Sequence, residues 1–162
     1  MTLTELKLPG GTFTLRKAAA SDVGPIIGLL AADPLRAAVE SLAIEDRHRY
    51  DLAFSSIDAD PAQLLVAVVS ADSAVVATMQ LTSIPGLARG GASRMQLEAV
   101  RVRSDLRGNG LGAAMITWAI GEGRRRGVNL VQLTSDGSRT AAHRFYERLG
   151  FEASHVGFKL RL

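Results

Sequence analysis

The chain of 162 residues contains no cysteine. Disulfides, thiolate metal sites and a cysteine nucleophile are therefore excluded. It has only three histidines, His48, His143 and His155, and they are far apart, with no metal-ligand spacing. Aromatic residues make up 5% and are not interleaved with the basic ones, which opposes a stacking platform for single-stranded nucleic acid. No apolar run approaches the roughly 18 residues of a membrane span. The start, MTLTELKLPGG, has neither a basic stretch nor an apolar one, so no signal peptide is expected and a cytoplasmic protein is.

Enough apolar material is present for a core: 47% hydrophobic against 22% charged residues. The length suits one domain over 1–162. Charge is unevenly spread. Residues 1–100 carry a balance of −3, and residues 101–162 a balance of +6. A basic C-terminal third suits a polyanionic ligand.

Periodicity predicts a first strand over 12–18 and a helix over about 21–32 capped by Ser21. Asp33-Pro34 restarts a helix, and residues 35–57 read as one or two helices. Strands follow at 64–69 and 74–81, then a glycine-rich loop over 84–93 and a strand over 95–102. A helix over about 110–126 stops at Gly127, a buried strand covers 130–134, and a helix runs from Ser138 to Leu149. Residues 151–154 and 158–162 read as short terminal strands. This order is that of a single α/β (α+β) domain with a mixed sheet and about four helices. The strand–helix–strand unit over 95–134 makes its two strands parallel.

The most informative stretch is Arg107-Gly108-Asn109-Gly110-Leu111-Gly112-Ala113, between a strand and a helix. Glycines admit a ligand to the backbone, and a helix start offers unpaired N–H donors and a positive dipole end. That combination suits phosphate oxygens, which Arg107 could also bind. A tight turn that only allows close packing would use the same glycines. A P-loop is excluded, because no Lys-Ser/Thr pair follows. Gly108, Gly110 and Ala113 mimic a dinucleotide fingerprint, but Arg103–Arg107 separate strand from turn, and only about 26 residues follow Asp136, too few to complete that sheet.

Two motifs now stand in order. Arg107-x-x-Gly110-x-Gly112 resembles the [QR]-x-x-G-x-[GA] motif of the GCN5-related N-acetyltransferase (GNAT) superfamily. Ala142-x-x-x-Tyr146-Glu147-Arg148-Leu149-Gly150-Phe151, about 35 residues on, is similar to its A-x-x-x-Y-E-[KR]-L-G-F signature. The resemblance implies a mixed sheet whose fourth and fifth family strands, here 95–102 and 130–134, splay apart to admit acetyl-CoA. It implies that the backbone around Val100, Arg101 and Val102 bonds the pantetheine arm. It implies that the N–H groups of Arg107, Gly108, Asn109, Gly110, Leu111, Gly112 and Ala113 meet the pyrophosphate. No metal is implied.

Acetylating an amine by direct attack requires removal of an amine proton, a held oxyanion and protonation of the departing thiolate. The resemblance makes Tyr146 the candidate acid. Periodicity alone also fits a core tyrosine, in a stripe with Ala142, Phe145 and Leu149. Glu98, nine residues before Arg107, is the candidate base. Regular alternation puts it on the face of Val100 and Val102, where apolar neighbours would suit a base. A salt bridge to Arg101 or Arg103 is the plainer alternative. Many members carry Asn seven residues before the Tyr, where this chain has Arg139. Arg139 and His143, one turn apart, are candidate coenzyme contacts or solvated helix residues. The acceptor implied is a small-molecule amine or a protein amino group, with no nucleic acid and no membrane, and a homodimer is compatible with it. A silent acyl-CoA-binding regulatory module is the other function this sequence fits.

Overall fold

The computed structural model describes residues 1–33, 43 and 46–160. Six strands form one sheet in chain order: β1 (Thr2–Leu8), β2 (Gly11–Lys17), β3 (Gln63–Val69), β4 (Val75–Ile84), β5 (Arg94–Val102) and β6 (Leu130–Leu133). Every neighbouring pair is antiparallel except β5–β6, which is parallel, as the intervening helix requires. The helices are α1 (Val23–Ala31), α2 (Arg47–Ala59), a single turn α3 (Ala88–Gly91), α4 (Leu111–Arg125) and α5 (Thr140–Arg148).

Alternation decides which face each helix covers. On one face Leu64, Val66, Val68, Met79, Leu81, Met95 and Leu97 are buried against Leu111, Met115, Ile116 and Ala119 of α4. Those four recur at the spacing of one helical stripe. On the other face Ala67 packs with Ala18 and with Ile26 of α1, with Leu30 and Phe54 alongside. Thr78, fully buried here, donates its hydroxyl to the Val66 carbonyl at 2.8 Å and so leaves no polar group unpaired.

Two expectations change, and a third is not reached. The strand β1 is additional: Pro9-Gly10 turns the chain between β1 and β2, and Leu6 is buried while Leu3 and Leu8 pack on the core. Its single buried position is too weak an alternation to read without the hairpin. Residues 151–160 form no strand, and Val156, Phe158 and Leu160 are 81%, 94% and 88% exposed. Their apolar alternation meets no sheet edge among the described residues. The helix expected to restart at Pro34 lies outside the described residues, and α2 accounts for the second part of that region.

Candidate active site

Strand β5 is interrupted by a bulge. Gln80 pairs with Glu98 but Thr78 pairs with Arg101, so Ala99 and Val100 together oppose Met79. Ala99 takes the left-handed φ of 53° that closes the bulge. Pairing with β6 ends at Leu97↔Leu133. Beyond that point β5 carries on to Val102 with no strand on its β6 side among the described residues, and the sheet opens at Glu98.

The bulge corrects the expected facing of Glu98. One extra residue reverses the alternation. Val102 pairs with Ala77 and packs on the α4 side, as does Val100, whereas Glu98 shares its face with Arg101 on the α1 side. Glu98 is exposed, and its carboxylate makes no ion pair to Arg101 or Arg103. Those arginines pair with Asp33 and Asp105 instead.

The turn after β5 has the form its glycines suggest. Ser104–Leu106 make one tight helical turn, and Arg107 folds back so that its Nε donates to the Val102 carbonyl at 3.0 Å. Gly108 and Gly110 have φ of 81° and 84°, a left-handed conformation that side chains resist. Gly110 directly precedes α4, whose first intrahelical bond runs from the Ala114 N–H to the Gly110 carbonyl at 3.0 Å. Among the described residues, no N–H of residues 108–113 donates to a protein acceptor. Six consecutive donors are thus gathered at the positive end of a 15-residue helix. Gly112 lies against Phe145, where a Cβ would sit 3.5 Å from its ring and 3.8 Å from Val102. This contact joins the turn to α5.

Helix α5 carries Tyr146 inward. Its ring meets Phe145 and Phe151 edge-on, at 5.1 and 5.8 Å between centroids, and packs on the α4-side core. The Phe151 N–H returns to the Tyr146 carbonyl at 3.1 Å and fixes the end of the helix. Burial pushes the phenol above the ordinary tyrosine value, and the charges of Arg101 and Arg139 pull it down without cancelling that shift. Tyr146 is therefore both core and an acid that keeps its proton through neutral pH.

Arg139 and Arg101 meet at a residue that the sequence did not single out for a site. Asp33, buried at the end of α1, accepts a bond from Arg101 at 2.7 Å and pairs with Arg139 as well. Arg101 also donates to its own Val100 carbonyl at 2.7 Å. One carboxylate thus links α1, β5 and the start of α5 around the opening. Its partners lie 68 and 106 residues away, so no local pattern could announce it. His143 bonds the Asp136 carbonyl at 2.8 Å through Nε2 and braces the turn before α5. That turn is itself closed by Ser138, whose N–H and hydroxyl donate to Asp136 at 2.9 and 2.6 Å. Among the described residues no group of three or more His, Asp or Glu side chains could hold a metal ion.

A parallel pair that opens beyond a bulge, beside a helix start with free N–H groups, is an arrangement suited to the phosphates of a ligand. The acetyltransferase (GNAT) family matches residues 29–151, and the chain belongs to that family. The family uses acetyl-CoA. The aminoalkylphosphonate N-acetyltransferase of Salmonella typhimurium is 35% identical over 63 residues, which are 39% of this chain and 41% of that protein. The chain thus matches about two-fifths of the length of this curated relative. A transcriptional regulator from Bacillus halodurans C-125 has the same fold with a TM-score of 0.88 and 36% identity, over 93% of this chain and 99% of the other. A Trypanosoma brucei acetyltransferase matches with a TM-score of 0.72 and 26% identity, over 93% and 99% of the two chains.

Proposed function

We propose that this protein transfers the acetyl group of acetyl-CoA to a primary amine by direct attack. The row of six unpartnered N–H groups at residues 108–113 carries the reading. It supports a pyrophosphate held by Gly108, Asn109, Gly110, Leu111, Gly112 and Ala113 at the helix start; the expected Arg107 N–H drops out of that set, because it donates to the Ser104 carbonyl at 3.3 Å. The unpaired edge of β5 at Val100–Val102 supports a pantetheine arm lying along it as an added strand. Because Asp33 holds Arg139 and Arg101, both act on the coenzyme only as the rim of the opening. His143 supports that rim through the Asp136 turn.

In the reaction the amine nitrogen attacks the thioester carbon, the C–S bond breaks, and nitrogen gives up a proton. Glu98, at the mouth of the opening on the α1 side, takes that proton directly or through water. Tyr146 supplies a proton to the thiolate. Its upward shift keeps the phenol protonated, so the donor is lost only above the ordinary tyrosine range.

The test is free-thiol release from acetyl-CoA with a panel of primary amines. Tyr146→Phe keeps the ring and its packing, so acetyl-CoA affinity holds while kcat falls by about 10²-fold. Glu98→Gln slows the reaction most at low pH, where unprotonated amine is scarcest. Wild-type kcat in both variants ends this assignment of acid and base.

A second reading is favoured by one observation: the relative with a TM-score of 0.88 is called a transcriptional regulator. An acyl-CoA-binding regulatory module would show thermal stabilisation by acetyl-CoA. It would release no thiol with any amine.

A further inference from the structure

The α1-side face of the sheet changes character along its strands. Under α1 and α2 it is apolar, with Ala67 and Leu65. Further along, β3 to β6 place four polar side chains in a single cross-strand row: Gln63 opposite Thr82, Thr82 opposite Gln96, and Gln96 opposite Gln132. Gln80, opposite Glu98, stands in the row next to it. All five polar neutral residues are half-buried. They hold one another. Gln80 donates to the Gln63 carbonyl oxygen at 2.9 Å, the Thr82 hydroxyl donates to the same atom at 2.8 Å, and Gln132 donates to Gln96 at 2.8 Å.

An amide has two acceptor lone pairs and two donor hydrogens, so the bonds made here leave capacity over. The Gln63 NH2 and the side-chain oxygens of Gln80 and Gln132 have no partner among the described residues. They are donors and acceptors held in place on a rigid sheet. Glu98 is the one acidic side chain in these two rows, and it sits where the sheet opens.

We infer that the Gln63–Thr82–Gln96–Gln132 row with Gln80 is the acceptor floor, and that it selects a primary amine whose body carries neutral hydroxyl or amide groups. This rests on the acetyltransferase reading above. Glu98 receives the cationic amine, and two residues along β5 set Gln96 roughly 6–7 Å further out. The acceptor therefore bears a neutral hydrogen-bonding group at about that distance from its nitrogen. A phosphonate or carboxylate there would meet the oxygens of Gln80 and Gln132, with the neutral Gln63 NH2 as a donor but no cation in either row. The next side chain outward on this face, Arg94, has its guanidinium beside Gly86 of the loop after β4.

Three probe amines test this in the thiol-release assay: glucosamine, n-hexylamine and 2-aminoethylphosphonate. Glucosamine should exceed the other two at least tenfold in kcat/KM. Gln63→Leu and Gln96→Leu should each raise the glucosamine KM at least fivefold and leave the KM of acetyl-CoA unchanged. Arg94→Gln should leave glucosamine turnover at the wild-type level. Preference of the wild-type protein for hexylamine or the phosphonate overturns the floor and leaves the acetyltransferase reading standing, and loss of phosphonate turnover in Arg94→Gln would then assign an acidic acceptor. Unchanged glucosamine KM in both leucine variants also overturns the floor alone. No thiol release from any of the three, with release from another amine of the wider panel, overturns the floor alone; no release across the whole panel, with acetyl-CoA still raising the melting temperature, overturns the acetyltransferase reading and the floor together.

Discussion

Strands β2–β5 and the segment from β6 to the C-terminal tail are built to different standards. The first region contains Leu15, Val66, Val68, Met79, Leu81 and Met95, all inaccessible to solvent, on long paired strands. The second contains no buried residue in β6 or in α5. Its apolar side chains, Val131, Leu133, Phe145, Tyr146 and Leu149, only lean against the core of the first. The thin packing follows from the opening: a sheet that parts at Glu98 leaves β6 four residues long and α5 without a continuous surface to cover. Stability resides in the first region, and the proposed ligand chemistry lies at the seam between the two. Openings of low local stability are where bound ligands have most to add.

The sharpest contrast comes from Leu81→Ala. It removes a fully buried side chain from the first region and should cost about 2–5 kcal/mol of unfolding free energy, read by denaturant titration. A loss under 1 kcal/mol would mean that the two regions are packed alike.

Gly110→Val acts at the seam. A β-branched residue at φ 84° strains the turn by about 1–3 kcal/mol. It also disturbs the free N–H groups. Acetyl-CoA affinity, by calorimetry, should fall about a hundredfold or more while the circular dichroism of the first region persists. Normal affinity would place the pyrophosphate elsewhere.

Asp22→Asn tests the fastening of α1 to the first region. Burial disfavours the Asp22 charge, but bonds from Arg16 at 2.6 and 2.8 Å and from the Ala19 N–H at 2.7 Å outweigh it and hold the carboxyl below its usual value. A lowered folded value contributes stability that is present above the unfolded carboxyl range, about pH 4, and is lost as pH falls through the folded value. The variant should lose about 1–2 kcal/mol at pH 7 and correspondingly less near pH 2. An equal loss at both pH values would show that the bonds, and not the charge, matter.

The smallest effect is expected from ending the chain after Ala153. Val156, Phe158 and Leu160 bury almost nothing, so unfolding free energy should change by about 0.5 kcal/mol or less. A larger change in dilute solution would reveal packing of the tail that the described contacts lack.

The sequence alone determined the parts whose signals are local. Alternation located β2 to β5, an apolar run located β6 but wrongly promised its burial, the stripe Leu111–Met115–Ala119 located α4, and the crossover made β5 and β6 parallel. Gly108 and Gly110 specified the left-handed turn that leads into α4, because conformation at φ near 80° is a property of the residue itself. Tertiary structure decided what depends on two distant segments. The bulge at Ala99 turned Glu98 to the α1 side, since the extra residue is defined only by its pairing with β4. Asp33 found Arg101 and Arg139, and four glutamines and a threonine from four strands became one polar floor. The apolar alternation after Phe151 promised strands that no sheet edge completes among the described residues. Alternation fixes the face a side chain presents, but a hydrogen-bonded partner strand must be supplied from elsewhere in the fold.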